Sequence, residues 1–201
     1  MERVSANPNH PKKGSALRVD PITSEKDIRA IKRLLASRPR DLAIFCLGIN
    51  TALRASDILK IKVGDVNGLR QGDIFRTREK KTGKYRDVTL NKTSHKAVMD
   101  YLATRDNPQD DDWLFTSRKG AGRLQVSSLN AMVKDWCSQI NLKGKYGTHS
   151  LRKTFGYHQR VRFGMGTPVL MRIFNHKCES QTLNYLGVED KELHEIQLND
   201  I

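Results

Sequence analysis

The stretch from Asp41 to Asn50, DLAIFCLGIN, is apolar on nearly every side, and it constrains the fold more than any other part of the chain. A helix without a polar face has to be surrounded by other elements. The pattern predicts a central buried helix that ends near Thr51 and restarts at Ser56, with Arg54 at the break. The chain has 201 residues, of which 37% are hydrophobic. That is enough to enclose such a helix in one domain with a real core.

The segments around it supply the walls. Ser24 followed by Asp27 is an N-cap with an acidic partner, opening a helix whose Ile28, Ile31, Leu34 and Leu35 share one face up to Pro39. Between Gly64 and Leu90 the period changes to short β-prone pieces, GDIFRTRE and YRDVTL. They are separated by KKTGK, where Gly83 can supply the positive φ of a hairpin turn. Helices follow from about Ser94 to Leu102 and from Ser128 to Ile140. The second carries Leu129, Met132, Val133, Trp136 and Ile140 on one stripe, read as core. Further helical segments span Ser150 to Val161 and Pro168 to Phe174, and a short one runs through Tyr185. The expected fold class is α+β, mostly helical, with one small antiparallel sheet.

Charge narrows the partner. A net +14 and an isoelectric point near 9.9 fit a polyanionic partner, with nucleic acid ahead of an anionic membrane surface. No run approaches the roughly 18 apolar residues that span a bilayer, and the N-terminus MERVSANPNHPKK lacks a signal-peptide core. A cytoplasmic, nucleoid-associated protein without a membrane partner is expected. Cys46, Cys137 and Cys178 are odd in number and contain no CxxC pair, so they read as small, mostly buried side chains. Residues 1–22, with Pro8, Pro11, Pro21, Lys12, Lys13 and Arg18, read as a basic N-terminal arm.

Six side chains carry chemistry: Arg54, Lys81, His149, Arg152, His176 and Tyr185. Together they offer two guanidiniums, an ammonium, two imidazoles and a phenol, with no metal-ligand cluster. This is the inventory of a phosphodiester-cleaving site with a tyrosine nucleophile. The surrounding segments TALRASDIL (51–59), KKTGKYRDVTL (80–90), THSLRKTFG (148–156) and FNHKCESQTLNYL (174–186) resemble, in order and spacing, the motifs of tyrosine recombinases, the phage integrase family. The resemblance covers residues 23–187, that family's catalytic domain. Its most diagnostic parts are His149-x-x-Arg152 and a tyrosine nine residues after His176.

The resemblance implies site-specific DNA recombination through a 3′-phosphotyrosine intermediate, with double-stranded DNA as partner and with neither ATP nor a divalent metal as cofactor. In it Arg54 and Arg152 clamp the non-bridging phosphate oxygens, a task suited to permanently charged, paired donors. Tyr185, with a phenol pKa of about 10, needs a base or strongly cationic surroundings to attack at neutral pH. His149 is the candidate base, and His176 is expected on the scissile phosphate. Lys81 resembles the lysine that protonates the leaving 5′-oxygen, with Lys80 as its rival. Asp57 resembles the acidic residue that orients the first arginine, its alternative being a surface ion pair. Lys80, Lys84, Arg86, Arg118, Lys119, Arg123 and Lys153 are basic candidates for DNA contact, most of them expected on phosphates. Free monomers are expected to assemble into a homo-tetramer on synapsed DNA, with DNA-bending accessory proteins as further partners.

Two positions depart from the family pattern. Ala52 stands where glycine commonly precedes the first arginine, and Phe174-Asn175 replaces a frequent Leu-Gly before the third-motif histidine. Both positions set backbone shape. Most members also carry a separate helical DNA-binding domain ahead of the catalytic one, whereas here about 22 residues precede the first helix. Either such a domain has been removed or the chain resembles short single-domain members, among them DNA invertases; Met1 favours the second. The tail, residues 188–201, has five acidic residues and one lysine, a net of −4 that leaves +18 on the first 187. Leu193, Ile196 and Ile201 give it an apolar face, so it is expected to dock on protein rather than on DNA. Type IB topoisomerase chemistry, a catalytically silent DNA-binding accessory and a merely basic DNA-binding protein are the competing readings.

Overall fold

A computed structural model of the chain describes residues 19–79, 83–118, 120, 122–187 and 198. Helix α1 (Glu25–Leu34) begins where Ser24 accepts a hydrogen bond from the Asp27 N–H, so the expected cap is present. Helix α2 (Pro39–Asn50) is the all-round apolar segment. Ala43 to Leu47 lie at 2% exposure or less. After Thr51 the chain turns through Ala52 to Arg54 and restarts as α3 (Ala55–Ile58), one residue earlier than expected.

A hairpin follows, β1 (Ile74–Arg78) antiparallel to β2 (Tyr85–Thr89), in a register that pairs Phe75 with Val88 and Arg76 with Asp87. The first pair faces the core; the second forms a surface ion pair at 2.6 Å. Gly83 has a φ of +70°, the turn conformation expected of it. Helices α4 (Lys92–Leu102), α5 (Val126–Gln139), α6 (Thr148–Val161), α7 (Thr167–Phe174) and α8 (Glu179–Leu186) complete the described chain. None of the described helices is long and apolar enough to cross a membrane.

Helix α2 packs most extensively on α4 and α6. Its Phe45 meets Trp136 of α5 edge to face, 6.1 Å between ring centres. Each such buried side chain contributes about 1.5–3 kcal/mol, so the central cluster holds α1 to α6 and the hairpin together. A second, smaller cluster lies beyond it: Ala52, Leu170, Phe174 and Leu186, flanked by Phe155, Leu183 and Tyr185. It fastens α7 and α8 to α6 and to the turn after α2.

Two expectations are corrected. The packed domain begins before residue 23: Ile22 is 1% exposed, its N–H donates to the Thr154 hydroxyl, and its carbonyl meets the His158 ring. Asp20 likewise exchanges hydrogen bonds with Lys145, so residues 20–22 belong to the domain, while the basic residues of the arm lie outside the described residues. Cys178 is exposed rather than buried, because it caps the solvent-facing start of α8. Cys46 and Cys137 are buried, which pushes their thiols up to about 11 and about 12.

Candidate active site

The site is assembled where the small cluster meets the break after α2. Arg54 is the N-cap of α3, so the break that ends the apolar helix also presents this guanidinium. Arg152 lies in the second turn of α6 and is 4% exposed. Its Nη1 donates to the Ala52 carbonyl and its Nη2 to the Phe174 carbonyl at 3.1 Å, so it ties the α2–α3 turn to the end of α7. The guanidinium also lies 4.9 Å above the centre of the Phe174 ring. Burial lowers the pKa of Arg152 to about 10, and the charges of Arg54 and Arg86 add to the drop.

Both departures from the family pattern fall on left-handed backbone. Ala52 has a φ of +53° and Asn175 of +55°. Asn175 is the C-cap of α7, a place where asparagine substitutes for glycine with little strain. Ala52 holds its conformation at some cost, and its carbonyl is the one that anchors Arg152. These geometries give the physical reason for glycine at both positions in other members.

His176 and Tyr185 are brought together by the turn between α7 and α8. The His176 ring stacks on Phe174 and stands edge-on to Tyr185, with ring centres 5.4 and 5.2 Å apart. Its Nδ1 meets the Thr182 hydroxyl at 2.9 Å. Burial lowers the pKa of His176, and so do the Arg152 and Arg54 charges. The Tyr185 hydroxyl is buried and has no hydrogen-bond partner in the described chain; Arg152 approaches it closely without completing a hydrogen bond. Burial raises the phenol above its ordinary value, while Arg152 and then Arg54 oppose the rise. The Lys153 ammonium lies over the same ring, 5.2 Å from its centre.

Four of the six expected residues, Arg54, Arg152, His176 and Tyr185, therefore share one electrostatic neighbourhood. His149 is exposed in the first turn of α6, three residues before Arg152. Lys81, with Lys80 and Lys119, lies outside the described residues. Asp57 is fully buried, which rules out a surface ion pair; its Oδ2 stands 3.9 Å from Arg54 Nη1.

Of the basic residues expected on DNA, two turn inward. Arg86 donates to the carbonyls of Ile173 (3.0 Å) and Thr51 (3.2 Å), and so braces the hairpin against α7 and the end of α2. Lys153 is 5% exposed beneath Tyr185. Lys84 and Arg118 are exposed at the surface, and Arg123 rests on the Trp113 ring, 5.4 Å from its centre. The residue that sequence reasoning missed is Glu79. Its Oε2 lies 2.8 Å from Arg54 Nη1, closer than Asp57, and its Oε1 lies 3.5 Å from Arg86 Nη1. The signal was a single acid inside the basic run RTREKK.

A mostly helical domain with one hairpin, in which arginines from two helices meet an imidazole and a buried phenol near its C-terminal end, defines the catalytic domain of a tyrosine recombinase. The family model of the phage integrase family matches residues 21–192. Among similar proteins, the probable integrase/recombinase YoeC of Bacillus subtilis (strain 168) is 35% identical over 178 residues, covering 86% of this chain and 91% of YoeC. The tyrosine recombinase XerC of Caldanaerobacter subterraneus subsp. tengcongensis is 31% identical over 82% of this chain, which spans only 47% of that relative. The crystal structure of XerA recombinase superposes with a TM-score of 0.72 at 24% identity, covering 90% of this chain and 67% of the other. That of XerH site-specific recombinase bound to its palindromic difH substrate gives 0.70 at 19%, covering 94% and 55%. The chain belongs to the phage integrase family.

Proposed function

We propose that the chain is a site-specific DNA recombinase that cleaves and rejoins strands through a covalent bond between Tyr185 and the 3′-phosphate. The observation that carries this reading is the convergence of the buried Tyr185 hydroxyl, Arg152 and His176, with the Arg54 charge acting on the same groups. In the reaction the Tyr185 oxygen attacks phosphorus and loses its proton, for which His149 is the proposed acceptor. Arg54 and Arg152 take the charge that builds on the two non-bridging oxygens, and His176 adds a hydrogen bond. The bond from phosphorus to the 5′-oxygen breaks, and Lys81 supplies the proton that leaves with the 5′-hydroxyl. A 5′-hydroxyl from another strand reverses the sequence, so one phosphodiester bond is exchanged for another.

Burial supports this division of labour. A raised phenol stays protonated until substrate arrives, and a lowered His176 stays neutral, able to donate one hydrogen bond while its other nitrogen meets Thr182. On synapsed DNA we propose a homo-tetramer, aided by DNA-bending accessory proteins. Segment 188–201, in which residue 198 alone is described, is assigned a protein-docking role. Deleting it should impair cleavage or synapsis; a deletion that left both unchanged would remove that role.

The deciding experiment incubates the protein, in chelator, with nicked duplexes carrying the ends of the DNA element that encodes it. A covalent protein–DNA adduct is expected and should vanish in Tyr185→Phe. An adduct that persisted in Tyr185→Phe would sink the mechanism. Relaxation of random plasmids without site preference would favour topoisomerase chemistry.

A further inference from the structure

Arg54 is shared. Glu79, with only 8% of its side chain exposed, contacts the guanidiniums of Arg54 and Arg86 at once. Arg152 feels the same carboxylate: the charges of Arg54 and Arg86 push its pKa down and that of Glu79 pulls it up. Three guanidiniums in a partly dry pocket repel one another, and burying them together is costly unless an anion is placed among them. A substrate phosphate is one such anion. The Glu79 carboxylate is another, already built into the chain.

We propose that Glu79 is an internal competitor of the scissile phosphate for Arg54. It is a positioning residue: it holds the Arg54 guanidinium against the hairpin, and yields that contact when phosphate oxygens take the donors. It keeps Arg86, whose two bonds to backbone carbonyls fix it in place. The backbone of Glu79 also closes segment 79–84, donating to the Lys84 carbonyl and accepting from the Gly83 N–H, both at 2.9 Å. The residue that neutralises Arg54 is thus the anchor of the segment whose sequence contains Lys81. Exchange of Glu79 for phosphate at Arg54 would therefore be felt at the base of that segment.

This rests on the recombinase reading of Arg54, and the test separates the two. Glu79→Gln keeps the shape and removes the charge. In a Tyr185→Phe background it should bind the duplex about tenfold more tightly, since one competing charge is gone. With Tyr185 intact, the single-turnover rate of adduct formation at saturating DNA should stay within about twofold, because Glu79 has already released Arg54 to the phosphate. Glu79→Asp restores the charge and should move the affinity back toward that of the unaltered protein.

A purely structural residue would weaken binding and rate together, and weaker or unchanged binding by Glu79→Gln overturns the proposal. Titration with inorganic phosphate, followed by thermal shift, needs no strand cleavage. Half-saturation should come at lower phosphate in Glu79→Gln, and the gain should disappear in Glu79→Gln/Arg54→Ala. If phosphate competition is seen but no duplex yields an adduct, the recombinase reading fails alone. If adducts form and Glu79→Gln changes neither phosphate nor DNA affinity, Glu79 fails alone. Should Glu79→Gln not fold, Glu79→Met serves instead: it removes the charge at similar length, and unchanged phosphate affinity in it counts against the proposal.

Discussion

Substituting Gly156 by alanine separates the stability of the domain from the placement of Tyr185, the proposed nucleophile. A Cβ on Gly156 would lie 2.4 Å from Leu186 Cδ2 and 2.6 and 2.8 Å from two ring carbons of Phe174. Carbon atoms ordinarily rest at about 3.5–4.0 Å, so α7 and α8 must retreat from α6 by about 1 Å. Overpacking of this kind costs about 1–3 kcal/mol, while replacing a mid-helix glycine returns about 1 kcal/mol. The net loss is therefore about 0–2 kcal/mol, a fall in Tm of at most about 8 °C for a domain of this size.

Activity should suffer far more. Leu186 follows Tyr185 directly, and Phe174 carries the carbonyl and the ring that hold Arg152, so the displacement moves Tyr185 and Arg152 relative to each other. A misplacement of about 1 Å can cost about 100-fold in rate. Single-turnover adduct formation on a nicked duplex, measured beside urea unfolding, gives both numbers. Gly122→Ala is the control, because nothing lies within 4 Å of its Cβ position. If Gly156→Ala were fully active, or lost stability and rate only in proportion, α8 would not be seated on α6 as described.

Three further outcomes are expected. Ala52→Gly trades relief of left-handed strain, about 1–2 kcal/mol, against one lost methyl and a looser unfolded chain, and should be neutral to within about 1 kcal/mol. Ala52→Val should lose about 2 kcal/mol or more in urea unfolding; tolerance of valine would contradict the φ of +53°. Arg86→Ala should cost about 2–4 kcal/mol, because it strands two carbonyls and part of a buried carboxylate. Its log Kd against log salt slope for DNA should not change, whereas a phosphate contact would lower that slope by about one.

The third concerns His176, whose pKa is lowered by burial. As pH falls, the unfolded chain takes up this proton first, so stability is full above about pH 6.5 and is lost as pH falls toward the lower folded value. Tm should decline less steeply on acidification in His176→Asn than in the unaltered protein. Equal slopes would mean that this ring does not sense its neighbours.

The start of α1, the hairpin and the end of the central helix were legible because cap, turn glycine and apolar run are local signals. Arg54 could be located for the same reason: a break after an all-apolar helix leaves few places for the next residues. The inward turn of Arg86 and Lys153 was not legible, since a basic side chain in a basic strand or helix looks alike whether it faces solvent or a backbone carbonyl. Only the approach of α7 to the hairpin, a long-range event, decides it. Glu79 was missed because its meaning depends on two arginines, one of them 25 positions away in sequence. Ala52 and Asn175 stood out as departures, but the backbone angle that explains them exists only in the folded turn.

The smaller cluster that seats α7 and α8 has four buried members, against the much larger one around α2. Segments with few buried contacts open at lower free energy than the rest of a domain. Amide hydrogens of α7 and α8 should therefore exchange before those of α2. On warming, the molecule should lose its capacity for covalent chemistry while most of its helix signal persists, and regain it on cooling. Tyr185 rides on this less firmly held part, so its reactivity should be lost and regained through a local order–disorder step that leaves the scaffold standing.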